Sequence, residues 1–281
     1  MAVDAFEVLY SQETTMVFMR SKSFLKDRVF TKGMAKGYQF VFDLFGDRTS
    51  DASTRGTTGD IVYEQTNQSQ VTLTMEQWHA GLAKNDFNIK ACQGDQRRAM
   101  SEDVVARINR KIDSQIITAA VAGTLVSSAA GTMTVDYALK AMVNLMNGDA
   151  GGGMITGVIT PAAWAYLVQQ EQVSSKDYVD ISRFSDGTIA DDGFTKMFDW
   201  NGARWIVHTG LPGITTSSAT CLVFSQKAIG YGINDSSTEH TAGYNAEQRR
   251  SWSLSSLMGG AKLLQNSGII RLLHDDTGFA L

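Results

Sequence analysis

Cysteine is scarce in this chain: only Cys92 and Cys221 occur among 281 residues. With no CxxC pair, neither a zinc ribbon nor a disulfide framework has a basis, and two reduced thiols are expected. Charge is sparse too. Charged residues make up 19% of the chain, below the usual quarter, and the net charge is -4. A dedicated nucleic-acid binder is disfavoured, because displacing phosphate counterions takes positive charge. Hydrophobic residues reach 43%. That excludes a disordered chain and supplies a sizeable core for one large domain or two closely joined ones.

Targeting and membrane signals are missing as well. Met1-Ala2-Val3-Asp4 has no basic region followed by an apolar one, so no signal peptide is expected. The uncharged stretch Ser114–Val135 is long enough to cross a bilayer. It is mostly Ala, Ser, Thr and Gly, however, and divides better into a helix end and a turn.

Motifs that carry chemistry are equally thin. The histidines His79, His208, His240 and His274 show no HExxH spacing. His208 reads as a structural residue in a strand, and His274-Asp275-Asp276 as a solvated polar group before it reads as a metal site. Cys92 and His79 lack the surroundings of a thiol nucleophile. No GxSxG occurs, and Gly151-Gly152-Gly153 precedes a strand, whereas a phosphate-cradling loop needs a helix after it. Asp191-Asp192 lies in an acidic stretch with Asp177, Asp180 and Asp186 and no sign of a pocket. No cofactor or metal is implied.

What is present is a sequence of patterned segments. Met1 to Lys36 is irregular, with a capping box at Asp4 and Glu7. Within it Arg20, Lys22, Lys26, Arg28, Lys32 and Lys36 face only Asp27. This run is either a solvated arm or a contact for an acidic partner surface or nucleic acid. Tyr38, Phe40, Phe42 and Leu44 share one side of a strand, and Val71 to Met75 alternate again. Between them Gly46 to Gln70 is polar except for Ile61-Val62-Tyr63, which suggests an extended hairpin arm lying in solvent or on another subunit.

A long helix follows, capped by Ser101 with Glu102 and Asp103 at its positive end. Its apolar face is Val104, Ile108, Ile112, Ile116, Ala119 and Ala120, and Gly123 ends it. About 22 residues give roughly 33 Å. From Thr134 the pattern becomes compact α/β. Thr134 caps a helix with Val135, Ala138, Leu139, Met142 and Leu145 inside and Gly148 at its end. Met154–Ile159 is a strand, and Thr160-Pro161 starts a helix with Trp164, Leu167 and Val168 inside. Asn201-Gly202 marks a type I′ hairpin, Gly210–Gly213 a turn, and Cys221–Phe224 a buried strand. Trp252–Met258, the turn Asn266–Gly268 and Ile269–Leu273 read as a long antiparallel pair closing a sheet.

This order resembles the major capsid proteins of tailed bacteriophages, with their Hong Kong 97-type shell fold. Local phrases carry it too. Arg20-Ser21-Lys22-Ser23-Phe24-Leu25-Lys26 is similar to the family's arm, and Ala106-Arg107-Ile108-Asn109-Arg110-Lys111-Ile112-Asp113 with Ile116–Ala120 to its spine helix. Thr160-Pro161-Ala162-Ala163-Trp164 followed by Ser174–Tyr178, then Gln226–Gly232 and Met258–Ala261, resembles later segments. The resemblance implies an α+β chain with an N-terminal arm at 1–36 and an extended β-hairpin loop at 37–82. A peripheral domain with the spine helix would take 83–133 and 245–281, and an axial domain 134–244.

The implied function is self-assembly as hexamers and pentamers into an icosahedral head that encloses double-stranded DNA. The basic arm (Arg20, Lys22, Lys26, Arg28, Lys32, Lys36) is the candidate subunit or DNA contact, and Asp47, Arg48, Arg55 and Asp60 are the candidate inter-subunit residues of the loop. Implied partners are copies of the chain, a portal, a decoration protein and a scaffold, with Met1 favouring a separate scaffolding protein. The place of work is the virion, assembled in the host cytoplasm, with no membrane. An encapsulin-like nanocompartment shares the fold, and an enzyme site around His208 or His240 is a third reading. No Lys–Asn cross-link pair is assigned.

Overall fold

The computed structural model describes residues 22–34, 37–46, 52, 54–55, 59, 63, 68–91, 95–128, 131–170, 188–189, 196–234 and 239–279. The capping box at Asp4 and Glu7, the acidic residues Asp177, Asp180, Asp186, Asp191 and Asp192, and Cys92 lie outside them.

Two sheets share one long helix. The first has five strands: β1 (Phe30–Met34), β4 (Glu76–Asn85), β11 (Ile229–Asn234), β12 (Glu239–Asn245) and β13 (Arg250–Leu263). The long β13 is its axis and pairs antiparallel with β4, β11 and β12, while β1 adds parallel to β11. The second sheet has seven strands in the order β5 (Val126–Ser128), β14 (Ile269–His274), β10 (Ala219–Ser225), β6 (Ile155–Ile159), β9 (Ala203–Val207), β8 (Lys196–Trp200) and β7 (Thr188–Ile189). A separate hairpin pairs β2 (Gln39–Phe45) with β3 (Gln68–Thr74) in antiparallel register. The helices are α1 (Asp86–Ala91), α2 (Gln96–Val121), α3 (Val135–Asn147) and α4 (Pro161–Val168). Among the described residues no helix is long and apolar enough to cross a membrane.

The helix α2 runs for 26 residues, about 39 Å at the usual rise. Its start differs from the expected one. Asp95, not Ser101, is the cap, its carboxylate accepting from the Arg98 N–H at 3.1 Å. Ser101 is inside the helix, facing Ser253 at 3.4 Å. Glu102 and Asp103, away from the helix end, pair instead with Arg98 and Arg107 one turn off. The expected apolar face holds: Val104, Ile108, Ile112, Ile116, Ala119 and Ala120 are all buried.

That face fills one core together with Val158, Ile206, Leu222 and Phe224 of the seven-stranded sheet and Ile229, Tyr231, Ile233 and Leu257 of the five-stranded one. A second core lies on the far side of the seven-stranded sheet, where α3 and α4 cover Ile155, Ile159, Trp205, Cys221 and Val223. Each fully buried Ile, Leu or Val stabilises by about 1.5–3 kcal/mol. Trp205 is accommodated because its neighbour is Gly157; an added Cβ there would collide with the indole. The inward face of β13 near α2 is made of Ser251, Ser253 and Ser255, small side chains that let the helix lie close to the sheet.

The Asn201-Gly202 hairpin is present, with φ of 50° and 74° at its two central residues, as a type I′ turn requires. Thr160 caps α4 through its hydroxyl and Pro161 opens that helix. Three expectations are corrected. Thr134 stands at the start of α3 without a side-chain cap; the Val135 N–H donates to Gln170 Oε1 at 2.8 Å instead. Leu139 is exposed, and Ala141 takes its place on the inner face. Above all, β13 and β14 do not pair: β14 crosses to the other sheet and lies between β5 and β10. The cause is local. The Asn266 side chain bonds Thr124 twice, at 2.8 and 2.7 Å, and so ties the turn to the end of α2. Arg271 then donates to the Val121 and Gly123 carbonyls at the negative end of that helix.

Candidate functional site

The basic run is half absorbed into the subunit. Phe24, Leu25 and Val29 are buried, and Phe30–Met34 forms β1. Ser23 Oγ, Phe24 N and Leu25 N all donate to the Asp113 carboxylate of α2, at 2.6, 3.4 and 3.3 Å. The Gly210 N–H donates to His208 Nδ1 at 3.0 Å, which leaves the ring proton on Nε2, 3.4 Å from Asp113 Oδ2. His208, just beyond β9, is thus the structural residue expected, and Asp113 is a hub that pattern reading missed.

Of the six basic residues, Arg20 and Lys36 lie outside the described residues. Lys22 is exposed and Lys26 half-buried. The Arg28 guanidinium reaches Met154 Sδ at 2.9 Å, and burial followed by the nearby Arg204 lowers its pKa. Lys32 Nζ sits 5.3, 5.7 and 5.9 Å from the ring centroids of Phe30, Phe40 and Phe42. That spacing allows cation–π attraction at the foot of the hairpin. The four described residues differ in setting: Lys22 and Lys32 are exposed, Lys26 and Arg28 are half-buried, and Arg28 and Lys32 contact Met154 and the aromatic rings of their own subunit.

The hairpin is two-sided. Its inner residues Phe42 and Leu73 are buried against β11 and β13. The contact needs glycine: a Cβ at Gly230 would meet the Phe42 ring at 2.8 Å, and one at Gly232 would meet Leu73 at the same distance. The base therefore buries itself on its own subunit, contrary to the expectation of a wholly unburied arm. The outer face of β2 keeps Val41 and Phe45 (76%) exposed, alternating with Gln39 and Asp43, and Tyr38 just before the strand is exposed as well. Of the candidate loop contacts, Arg55 is exposed and donates to the Gly59 carbonyl at 2.9 Å, while Asp47, Arg48 and Asp60 lie outside the described residues.

The polar group near the C-terminus is not solvated. His274 and Asp276 are buried, with Nε2 2.6 Å from Asp276 Oδ1. Thr160 Oγ1 donates to the same carboxylate oxygen at 3.0 Å, and Cys221 Sγ lies 4.0 Å from the same ring nitrogen. One nitrogen thus faces both acid and thiol, whereas a nucleophilic triad uses the two ring nitrogens separately. His79 is exposed on β4. Among the described residues no set of three His, Cys, Asp or Glu side chains is placed to hold a metal.

Burial is the largest single influence on His274 and disfavours its charge, but the hydrogen bonds and charges of Asp276 and Cys221 together outweigh it, and the pKa is pushed up from 6.5 to about 10. Below the unfolded value both states are charged and the stabilisation is complete. As pH rises from about 6.5 towards 10 the unfolded chain gives up the proton first, and the stabilisation fades. Thermal melts from pH 6 to 10 should show a decline that is markedly flatter in Asp276→Asn. Parallel curves for the two proteins would remove this pair as the cause.

A helix shared by two sheets, a hairpin anchored on its own subunit, and buried polar hubs that brace distant segments make up this subunit. Comparison with known proteins supplies its class. A model of the phage capsid protein family matches residues 2–276, and the chain belongs to that family. No curated protein sequence matches it. Solved structures share its fold, the Hong Kong 97-type shell fold. The chain from Mycobacterium phage Che8 has a TM-score of 0.70 at 13% identity, covering 96% of this chain and 98% of that one. The capsid of Ralstonia phage GP4 has 0.70 at 14%, covering 98% of both. The head of Helicobacter pylori bacteriophage KHP40 has 0.66 at 10%, covering 97% and 95%. The protein is a structural capsid subunit, a class distinct from the enzymes.

Proposed function

We propose that the chain assembles as hexamers and pentamers into the icosahedral head of a tailed bacteriophage and encloses double-stranded DNA. The observation that carries this reading is the hairpin whose base is anchored on its own subunit while Val41 and Phe45 stay exposed on its other face, in a member of the capsid family. A neighbouring subunit would cover those exposed apolar side chains. The slightly acidic balance of -4 also suits a container, since a strongly basic lining would hold phosphates and oppose release.

In this reading residues 37–82 are the extended loop, 134–244 the axial domain, and 83–133 with 245–281 the peripheral domain. Strands are exchanged between the two sheets: β5 and β14 join the sheet built mainly from 134–244, and β11 with nearly all of β12 joins the other. A scaffolding protein, a portal and a decoration protein are the proposed partners, with assembly in the host cytoplasm. The encapsulin alternative is not favoured, since the family matched is that of phage capsids. Co-expression with the phage's other head proteins, followed by sedimentation and electron microscopy, tests the reading. Closed shells are expected, and monomers alone would count against it.

Within it, Lys22 and Lys26 are proposed to meet acidic residues or packaged DNA at a subunit junction or the inner face, with Lys32 bracing the hairpin foot. The triple change Lys22→Gln, Lys26→Gln, Lys32→Gln should lower shell yield several-fold in a salt-sensitive way, because exposed charge contacts are screened over about 10 Å at 0.1 M salt. Unchanged yield and unchanged salt response would leave the run merely solvated.

A further inference from the structure

We propose that the cleft between the start of α2 and the β12–β13 ladder binds a small organic acid, one carboxylate on a compact apolar body. The inference does not depend on shell assembly. The cleft has a volume of about 340 Å³. The helix supplies one wall through Arg97, Met100 and Ser101, and the ladder supplies the other through Ala242, Tyr244, Ser251 and Ser253. The register explains that second wall. Tyr244 pairs with Ser251 and Ala242 with Ser253, and residues two apart on a strand share one face. It is the face of β13 that α2 covers, where Ser251, Ser253 and Ser255 are buried.

Ser251 is the residue that points to a ligand. Of the three inward serines, Ser255 donates to the Glu239 carbonyl at 3.3 Å, and Ser253 has Ser101 at 3.4 Å. Ser251 is 4% exposed, and its hydroxyl has no hydrogen-bond partner among the described residues. A buried hydroxyl without a partner is costly, and one that lines a cleft is satisfied by a polar group that enters it. The cation of the site is in a similar state. Arg98 pairs with Glu102 and Arg107 with Asp103, whereas Arg97 is exposed and has no ion pair among the described residues.

Charge and shape narrow the ligand. Arg97 is the only charged residue that lines the cleft, and no carboxylate does. Asp95 and Glu102, the acids closest in sequence, are both engaged with Arg98. A guanidinium with hydroxyl donors behind it matches an oxyanion. Met100, Ala242 and Tyr244 give the cleft apolar and aromatic walls, which a bare inorganic anion would leave uncovered. An aromatic ring bearing one carboxylate meets both demands. Small-molecule sites have this make-up, a mostly apolar lining with a few polar groups that fix orientation.

The test titrates the full-length chain with para-fluorobenzoate and follows the ligand by fluorine NMR. Saturable broadening is expected, with a Kd of about 1 mM or tighter, a modest value for a ligand of this size. Arg97→Gln should weaken binding about tenfold and Ser251→Ala several-fold. The ligand should raise the melting temperature of the native chain by mass action, and that of Arg97→Gln far less. Ser251→Ala by itself should leave the melting temperature unchanged or higher, because it removes a hydroxyl that has no partner. A lower melting temperature would show that the hydroxyl serves the fold and would overturn the site. No binding of the acid would overturn it as well, and so would equal binding of neutral para-fluorobenzyl alcohol, the behaviour of a merely apolar groove. Displacement of the acid by an equal concentration of inorganic phosphate would reduce the cleft to a bare anion site and sink the assignment. Binding that is unchanged in both variants would put the acid elsewhere on the chain and reject this cleft. If Arg97→Gln misfolds, Arg97→Lys decides: it keeps the charge but loses the planar fork, and binding should still fall.

Discussion

Replacing Asp113 with alanine is expected to destabilise the subunit by about 3–5 kcal/mol, the range for breaking a buried charged or polar network from one side. The carboxylate receives Ser23 Oγ, Phe24 N, Leu25 N and His208 Nε2. Alanine removes the acceptor shared by all four donors, and the Phe24 and Leu25 N–H groups and the His208 ring are buried where water does not readily replace it. The loss is also topological. Asp113 joins three distant parts of the chain: the segment before β1, the middle of α2 and the turn after β9. Asp113→Asn keeps one acceptor but turns a donor towards donors, so it should fall between alanine and the native residue. Thermal unfolding of the soluble subunit measures this, and a drop of roughly 10 °C or more is expected for alanine. A melting temperature within a degree or two of the native protein would show that the arm is held by its apolar side chains alone.

The sequence carries a partial sign of that hub. Ala106, Asp113, Ile117 and Ala120 fall in one row of α2, and all four are buried. An acid in an apolar row is the sequence sign of a buried polar hub, but the four donors around it come from segments far away in the chain. Where the information is local, pattern reading succeeds. The Asn201-Gly202 turn, the Thr160-Pro161 helix start and the apolar face of α2 each depend on a few neighbouring residues.

Where two local signals compete, it falters. Asp95 and Ser101 are both good caps, and the early turns of α2 are polar enough to hide which one begins it. Where pairing is set at long range, it fails. Two apolar runs around Asn266–Gly268 look like a hairpin in isolation, and only the bonds from Asn266 to Thr124 reveal that the turn belongs to the end of α2. His274 and Asp276 mislead for a related reason. Their polarity suggests solvent, yet Thr160 and Cys221 arrive from other elements to enclose them.

Replacing residues 46–67 with Asn-Gly is expected to leave a folded subunit that makes no stable shells. The cut preserves the whole β2–β3 ladder, whose last pair is Phe45 with Gln68. A two-residue Asn-Gly loop suits that register, because its left-handed dihedrals match the twist of an antiparallel pair. The anchors Phe42 and Leu73 stay in place against Gly230 and Gly232. The removed stretch holds few large apolar residues, only Ile61, Val62 and Tyr63 in a polar surrounding. Its loss should therefore cost the subunit core little, and shortening the loop lowers its closure entropy slightly. In the proposed assembly the loop lies on a neighbour and buries several hundred Å² per copy, at the low end for specific contacts. One such contact is weak, since association costs several kcal/mol of lost freedom. The shell repeats it in every subunit, so its loss is multiplied by closure. Near-native circular dichroism with no shells by electron microscopy is the expected pair of results. Shells of normal size and heat resistance would show that the loop tip is not an assembly element, and an unfolded subunit would show that it belongs to the core.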